Sequence, residues 1–187
     1  MKLNYTSILT AATLMIAGAN ANAGVVFDPY VGATAGIGGQ RFTANDKTKT
    51  HSAQSYGAIA GVDIPFLRVE AEYNYMDGEK VDIQAGLLNA YIKMPGVLVV
   101  TPYIGGGIGM VWKVDVDDSM HIGDYKESGK AIYQGMLGVT FDIPTMPFKI
   151  DVEGRVMYAP KLIDVTAMDE TASGTQYDAR IKLRYVF

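Results

Sequence analysis

Strict alternation between oily and charged residues is the feature that most constrains this chain. Leu67, Val69, Ala71, Tyr73 and Tyr75 are apolar, and Arg68, Glu70, Glu72 and Asn74 between them are charged or polar. Successive side chains of a strand point to opposite faces, so this segment has one oily and one ionic face. Residues 148–156 repeat the pattern, with Ile150 and Val152 set against Lys149, Asp151, Glu153 and Arg155. At the end of the chain Tyr177, Ala179, Ile181, Leu183, Tyr185 and Phe187 alternate with Asp178, Arg180, Lys182 and Arg184. A helix needs apolar residues three and four apart, a spacing these stretches lack.

Weaker strands are predicted around them. Residues 30–39 and 103–113 are rich in Gly, and 56–64 and 131–143 add two more. Residues 82–93 are the least regular, because adjacent Leu87 and Leu88 disturb the phase, and the register over 85–100 stays open. The eight segments, each about nine to thirteen residues, suit tilted membrane strands. Short links fall at Pro65, at Pro95-Gly96 and at residues 144–147, with longer polar segments at 40–53, 114–128 and 159–175. The link at 77–80 is brief. Short turns at one end and long loops at the other are the asymmetry of outer-membrane barrels. The expected fold is all-β: an eight-stranded antiparallel up-and-down transmembrane β-barrel.

Alternation alone leaves open which face is outside. A water-soluble barrel of lipocalin type would turn its charges to solvent. Three features favour the inverse. Aromatic residues on the apolar phase (Tyr73, Tyr75, Trp112, Tyr158, Tyr177, Tyr185, Phe187) fall near strand ends, as interface girdles do. The chain ends on Phe187 with Tyr185 two before it. An export signal is also expected over residues 1–23: Lys2, an apolar run over 8–17, and Ala21-Asn22-Ala23 as the cleavage site. Cleavage between Ala23 and Gly24 would leave residues 24–187 as the barrel domain. A spanning helix would need about 20 apolar residues, roughly twice that run.

The run Tyr185-Val186-Phe187 resembles the C-terminal strand signature of outer-membrane barrels. That resemblance implies that Tyr185 and Phe187 are read by the barrel-assembly machinery. Thr101-Pro102-Tyr103-Ile104-Gly105-Gly106-Gly107-Ile108-Gly109 and Tyr133-Gln134-Gly135-Met136-Leu137-Gly138-Val139 resemble the opacity-type surface proteins, small relatives of the OmpA membrane domain. The likeness spans the mature chain as a strand pattern carried on short glycine-based motifs. It implies a bacterial outer-membrane location, contact with lipid and lipopolysaccharide, and a monomeric barrel.

Inverting the barrel puts Arg68, Glu70, Glu72, Asp142, Lys149, Asp151, Glu153, Arg155, Arg180, Lys182 and Arg184 into a narrow lumen. Side chains nearly fill eight-stranded barrels. Paired charges there would plug the interior, whereas unpaired ones would be very costly. The plug is the favoured reading, and a gated or narrow ion path the alternative.

Other motifs point nowhere specific. A phosphate loop needs a helix directly after its glycines, and Gly105 to Gly109 run on into strand. Asp115, Asp117 and Asp118 suggest calcium, but an EF-hand from Asp115 would need Gly and Glu where Met120 and Lys126 stand. His51 and His121 are expected in outer loops near Ser52, Ser119 and Ser128 without a triad signature. No metal, cofactor or catalytic residue is assigned, and no enzyme activity is expected. There is no cysteine, so no disulfide framework, and the net charge of −4 argues against a nucleic-acid partner. The functional expectation is a structural or adhesive surface protein that meets host or neighbouring molecules through its outer loops. A narrow porin-like channel for small solutes, or a lateral route for small apolar molecules, is the runner-up.

Overall fold

The computed structural model describes residues 27–44, 47–78, 81–116, 130–165 and 170–187. The strands are β1 (Asp28–Ala44), β2 (Lys47–Asp63), β3 (Leu67–Gly78), β4 (Val81–Lys93), β5 (Val100–Val116), β6 (Ala131–Asp142), β7 (Phe148–Val165) and β8 (Glu170–Val186). Each pairs antiparallel with its chain neighbours, and β1 pairs with β8, so the sheet closes into a barrel in strand order. Closure leaves no open edge, which hydrocarbon would not tolerate.

The charges point inward. Arg68, Glu70, Asp151, Lys182 and Arg184 are wholly buried, while their chain neighbours Val69, Val152, Ile181 and Leu183 are about half exposed on the outer surface. That order excludes the water-soluble arrangement, in which the apolar set would form the core. Tyr56, Tyr73, Trp112, Tyr133, Tyr158 and Tyr177 ring the loop end of the outer face, and Phe66, Phe148, Tyr185 and Phe187 ring the turn end. Tyr177 and Tyr185 stand eight residues apart on β8, about 26 Å along the strand at 3.3 Å per residue. With strand tilt this becomes a belt about 20 Å tall, close to the apolar band of membrane barrels.

Two expectations change. First, two of the segments read as long polar loops, 40–53 and 159–175, are largely strand, while 117–128 lies outside the described residues. Pairing of β1 with β2 runs from Asp28↔Asp63 to Ala44↔Lys47, so most of 40–53 is a hairpin, and β7 with β8 reaches Val165↔Glu170 in the same way. A polar composition serves equally for a loop and for a ladder rising beyond the apolar belt. Second, Leu87 and Leu88 do not break the phase of β4. Ile83, Ala85, Leu87, Asn89 and Tyr91 are all buried on the inward row, and Leu88 is 62% exposed outside. The irregularity lies across from them: β5 carries an extra residue, Trp112, where Gln84 pairs with Lys113 and Ala85 with Val111. This bulge lays the indole over the outer face of Gly86, where a Cβ would fall 2.2 Å from the ring. Tyr73 flanks the indole at 6.0 Å between ring centroids.

At the turn end, β4 and β5 are joined by residues 94–99, with a bridge between Val97 and Val100 and Leu98 at φ 56°.

Candidate functional site

The inward rows of β3, β7 and β8 carry charge at nearly every step, so their ends meet inside the barrel. Strands β3 and β7 are four apart in either direction around the closed sheet, which places them on opposite walls. Arg68 Nη1 of β3 nevertheless reaches Asp151 Oδ2 of β7 at 3.0 Å, and Arg155 Nη1 of β7 reaches Glu72 Oε1 of β3 at 3.3 Å. These pairs cross the full width of the lumen.

Three layers build up from the turn end. Asp151 is the hub of the first. It accepts two hydrogen bonds from Arg184, Nε to Oδ2 at 2.8 Å and Nη2 to Oδ1 at 2.9 Å, and a third from Thr140 Oγ1 at 2.6 Å. Such a fork is the strong form of charge pairing. The Arg68 guanidinium lies over the rings of Tyr91 and Tyr103, 4.1 and 4.5 Å from their centroids. Its Nε and Nη2 have no hydrogen-bond partner among the described residues, and the two ring faces stand in their place.

Glu70 centres the second layer. Lys182 Nζ donates to it at 2.9 Å, Tyr30 and Tyr91 hydroxyls at 2.8 Å each, and Asn89 Nδ2 at 3.3 Å. Lys182 also reaches Glu153 at 3.1 Å, to which Tyr103 donates at 3.0 Å. In the third layer Glu72 holds both Arg180 and Arg155, Arg180 joins Glu153 at 2.6 Å, and Arg155 pairs with Asp178. Asn89 stitches the upper layers by donating to Glu72 at 2.8 Å.

This tight fit needs missing side chains as well as present ones. A Cβ on Gly105 would fall 2.3 Å from the Tyr91 ring. Gly105 and Gly107 therefore make room for the side chains of Tyr91 and Asn89, and the run is strand with no phosphate loop.

Nine of the eleven lumen residues named from the sequence meet in this network. Asp142 and Lys149 lie on the same inward phase but at the turn-end rim, paired at 2.8 Å and partly exposed. Sequence reasoning missed Asp63, which takes Lys93 and, at 3.2 Å, Arg184. It also left out Lys93 and Asp178. The eleven contain five acids and six bases; Asp63, Asp178 and Lys93 bring both to seven, so the network balances. Asp178 was visible in the alternation of β8, and Asp63 and Lys93 sit at strand ends where the alternation stops.

Above the ionic layers the inward rows change character. Met76, Ile83, Ala85, Leu87, Val111, Ile132, Met157 and Ala159 form a buried apolar cluster at the loop end. Met76 and Met157 occupy the next inward positions after Asn74 and Arg155, so an apolar residue on the polar phase was the available signal.

Of the remaining expectations, His51 lies on β2 opposite Gln40 and is not a loop residue, and Ser52 follows it on the same strand. His121, Ser119, Ser128, Asp117 and Asp118 lie outside the described residues, as do Ala23 and Gly24. Tyr185 and Phe187 stand on the outer face, in edge contact with one another at 5.3 Å.

No protein-family model matches the sequence, and no curated protein matches it significantly. Solved structures do. Neisserial surface protein A superposes with a TM-score of 0.62 at 17% identity, over 86% of this chain and 98% of its own. The N-terminal β-barrel domain of OprF from Pseudomonas aeruginosa gives 0.51 at 12%, over 82% and 97%. The Ail attachment invasion locus protein of Yersinia pestis, in complex with a heparin analogue, gives 0.47 at 14%, over 84% and 99%. With its closed antiparallel sheet, apolar exterior and ionic interior, this chain has the fold of the small eight-stranded OmpA-like outer-membrane β-barrels.

Proposed function

We propose that this protein is an outer-membrane surface protein whose lumen is a permanent plug and whose activity resides in what the barrel presents outside. The observation that carries the reading is the pairing of Arg68 with Asp151 and of Arg155 with Glu72 across opposite walls. Ions would have to part these pairs in order to pass, and each parted pair leaves buried charge uncompensated. A barrel stiffened in this way is a scaffold, and binding on rigid scaffolds resides in the connecting segments.

On this reading the chain is exported by cleavage between Ala23 and Gly24, and Tyr185 and Phe187 serve the barrel-assembly machinery. The exposure of both rings, with Tyr185 against Phe148, supports that role. The protein is a monomer in lipid and lipopolysaccharide, is not an enzyme, and meets host or neighbouring surface molecules through the hairpins at 40–53 and 159–175 and the segment 114–128.

Planar-bilayer recording on refolded residues 24–187 tests the plug. A silent, correctly folded barrel is expected. Reproducible steps whose ion selectivity changes with Arg180→Glu would replace this reading with a narrow channel. Exchanging the three outer segments with those of an unrelated small barrel tests the adhesive role: cell adhesion should follow the segments, and adhesion unchanged by the exchange would refute it.

A further inference from the structure

The connections at the turn end are as apolar as the wall above them. Residues 64–66, 94–99 and 143–147 link the strands there. They hold no charged residue, and Thr145 is the one polar side chain among them. Backbone hydrogen bonds join them into a rim: Lys93 N donates to Phe66 O at 2.9 Å, and Asp142 N to Val99 O at 2.8 Å. Val97 is 75% exposed, Phe66 72% and Leu98 wholly so, and Met94, Ile143 and Met146 are about half exposed. Apolar surface gathered in this way marks an interaction site.

The tip of the rim sharpens the point. Leu98 has φ 56°, in the left-handed region that glycine or asparagine enters easily and leucine does not. The turn thus carries a large apolar side chain against the preference of its own backbone.

What adjoins the rim identifies its occupant. On the outer wall Met94 takes the next outward position after Ile92, so the lipid-facing surface runs into the turn without a polar break. A site for a soluble protein has an apolar centre and a polar rim, and on this side there is no polar rim. Height points the same way. The belt between the aromatic rings is about 20 Å tall, whereas the apolar band of membrane barrels is about 25 Å. Beyond the loop-end ring the outward positions turn polar at Arg41 and Thr175, so only the turn end can supply the difference. Asp142 and Lys149 stand on the inward phase at the same rim, which gives it a polar inner lip and an apolar outer one.

We infer that the three turns are a lipid-docking foot, seated in the periplasmic leaflet with Val97 and Leu98 at the boundary between phospholipid acyl chains and headgroups. The inference rests on the outer-membrane reading above and adds where the barrel stops. It is independent of adhesion by the outer segments.

Methionine methyl NMR on refolded residues 24–187, in phospholipid nanodiscs holding one barrel each, supplies the test. Met94 and Met146 report on the turns, Met110 on the outer wall, and buried Met136 on the interior. Leu98→Met, a volume-conserving change, adds a reporter at the tip, and Arg41→Met adds one beyond the loop-end ring. Met94, Met146 and the methyl of Leu98→Met should receive magnetisation from lipid methylenes as Met110 does, with none reaching Met136. A soluble gadolinium chelate should broaden them several-fold less than the methyl of Arg41→Met. Turn methyls broadened as strongly as that control, with Met110 still in lipid, would overturn the foot and leave the outer-membrane reading intact. Met110 open to the chelate would overturn both. Protection found in crowded vesicles but lost in single-barrel nanodiscs would give the rim to a second copy of the chain instead.

Discussion

The two halves of the lumen solve the same packing problem with opposite chemistry. Toward the turn end, a closed ring of strands surrounds seven acids and seven bases, each tied to partners on other strands. Toward the loop end, the same inward rows bury methionine, isoleucine, leucine and valine around a space that is not filled. Charge networks tolerate no void, because each unmatched group carries its full desolvation cost. Apolar walls lose only dispersion contacts beside a void and stay dry. The ionic half is therefore held without gaps, and the apolar half can carry a small one.

The comparison breaks most sharply at Asp151. Among the described residues it is the one carboxylate paired with Arg68 and the forked partner of Arg184, all three wholly buried. Asp151→Ala should destabilise the barrel by about 3–5 kcal/mol, the usual cost of stranding a buried charge. Urea unfolding in micelles reads that loss, and a change below 1 kcal/mol would mean that water already reaches the network. Gly105→Ala tests the same half by volume. Its new methyl would press on Tyr91 and pull the hydroxyl away from Glu70, for a cost of about 1–3 kcal/mol from overpacking.

Much of this contrast was legible in the sequence and some was not, for physical reasons. Alternation separated the two faces of β3, β7 and β8 correctly, because apolar surroundings on one side and charge on the other leave a period of two, and the aromatic residues near the strand ends pointed to the charged face as the inner one. The same rule passed over the apolar cluster: Met76 and Met157 look like the ends of strands, where polar alternation ceases, when they are inward residues above the ionic layers. The extra residue at Trp112 left no trace either, since a bulge is a property of two paired strands and only one is local. Residues 40–53 read as loop because a polar composition suits a loop and a strand ladder equally. The pairing across the barrel had no sequence signal, as Arg68 and Asp151 are 83 residues apart.

Smaller effects sharpen the comparison at its edges. Met157→Ala enlarges an existing space, so the lost side chain gives up fewer contacts than one in a filled core. A cost of about 2 kcal/mol is expected, at the low end for large-to-small changes. A loss above 4 kcal/mol would show that this half is packed as tightly as the ionic half.

The smallest effect belongs to Asp142→Asn. The Asp142–Lys149 pair is as short as many in the plug, at 2.8 Å, yet the Asp142 side chain is 46% exposed at the turn-end rim. Solvent screens a pair in that position, and exposed pairs contribute about 0–1 kcal/mol. Unfolding of this variant beside Asp151→Ala therefore compares two carboxylate–cation pairs of nearly equal length that differ in burial. A several-fold larger loss at Asp151 assigns the stability of the barrel to desolvated pairing. Equal losses would mean that the rim is as dry as the centre, and the plug would then extend to the end of the barrel.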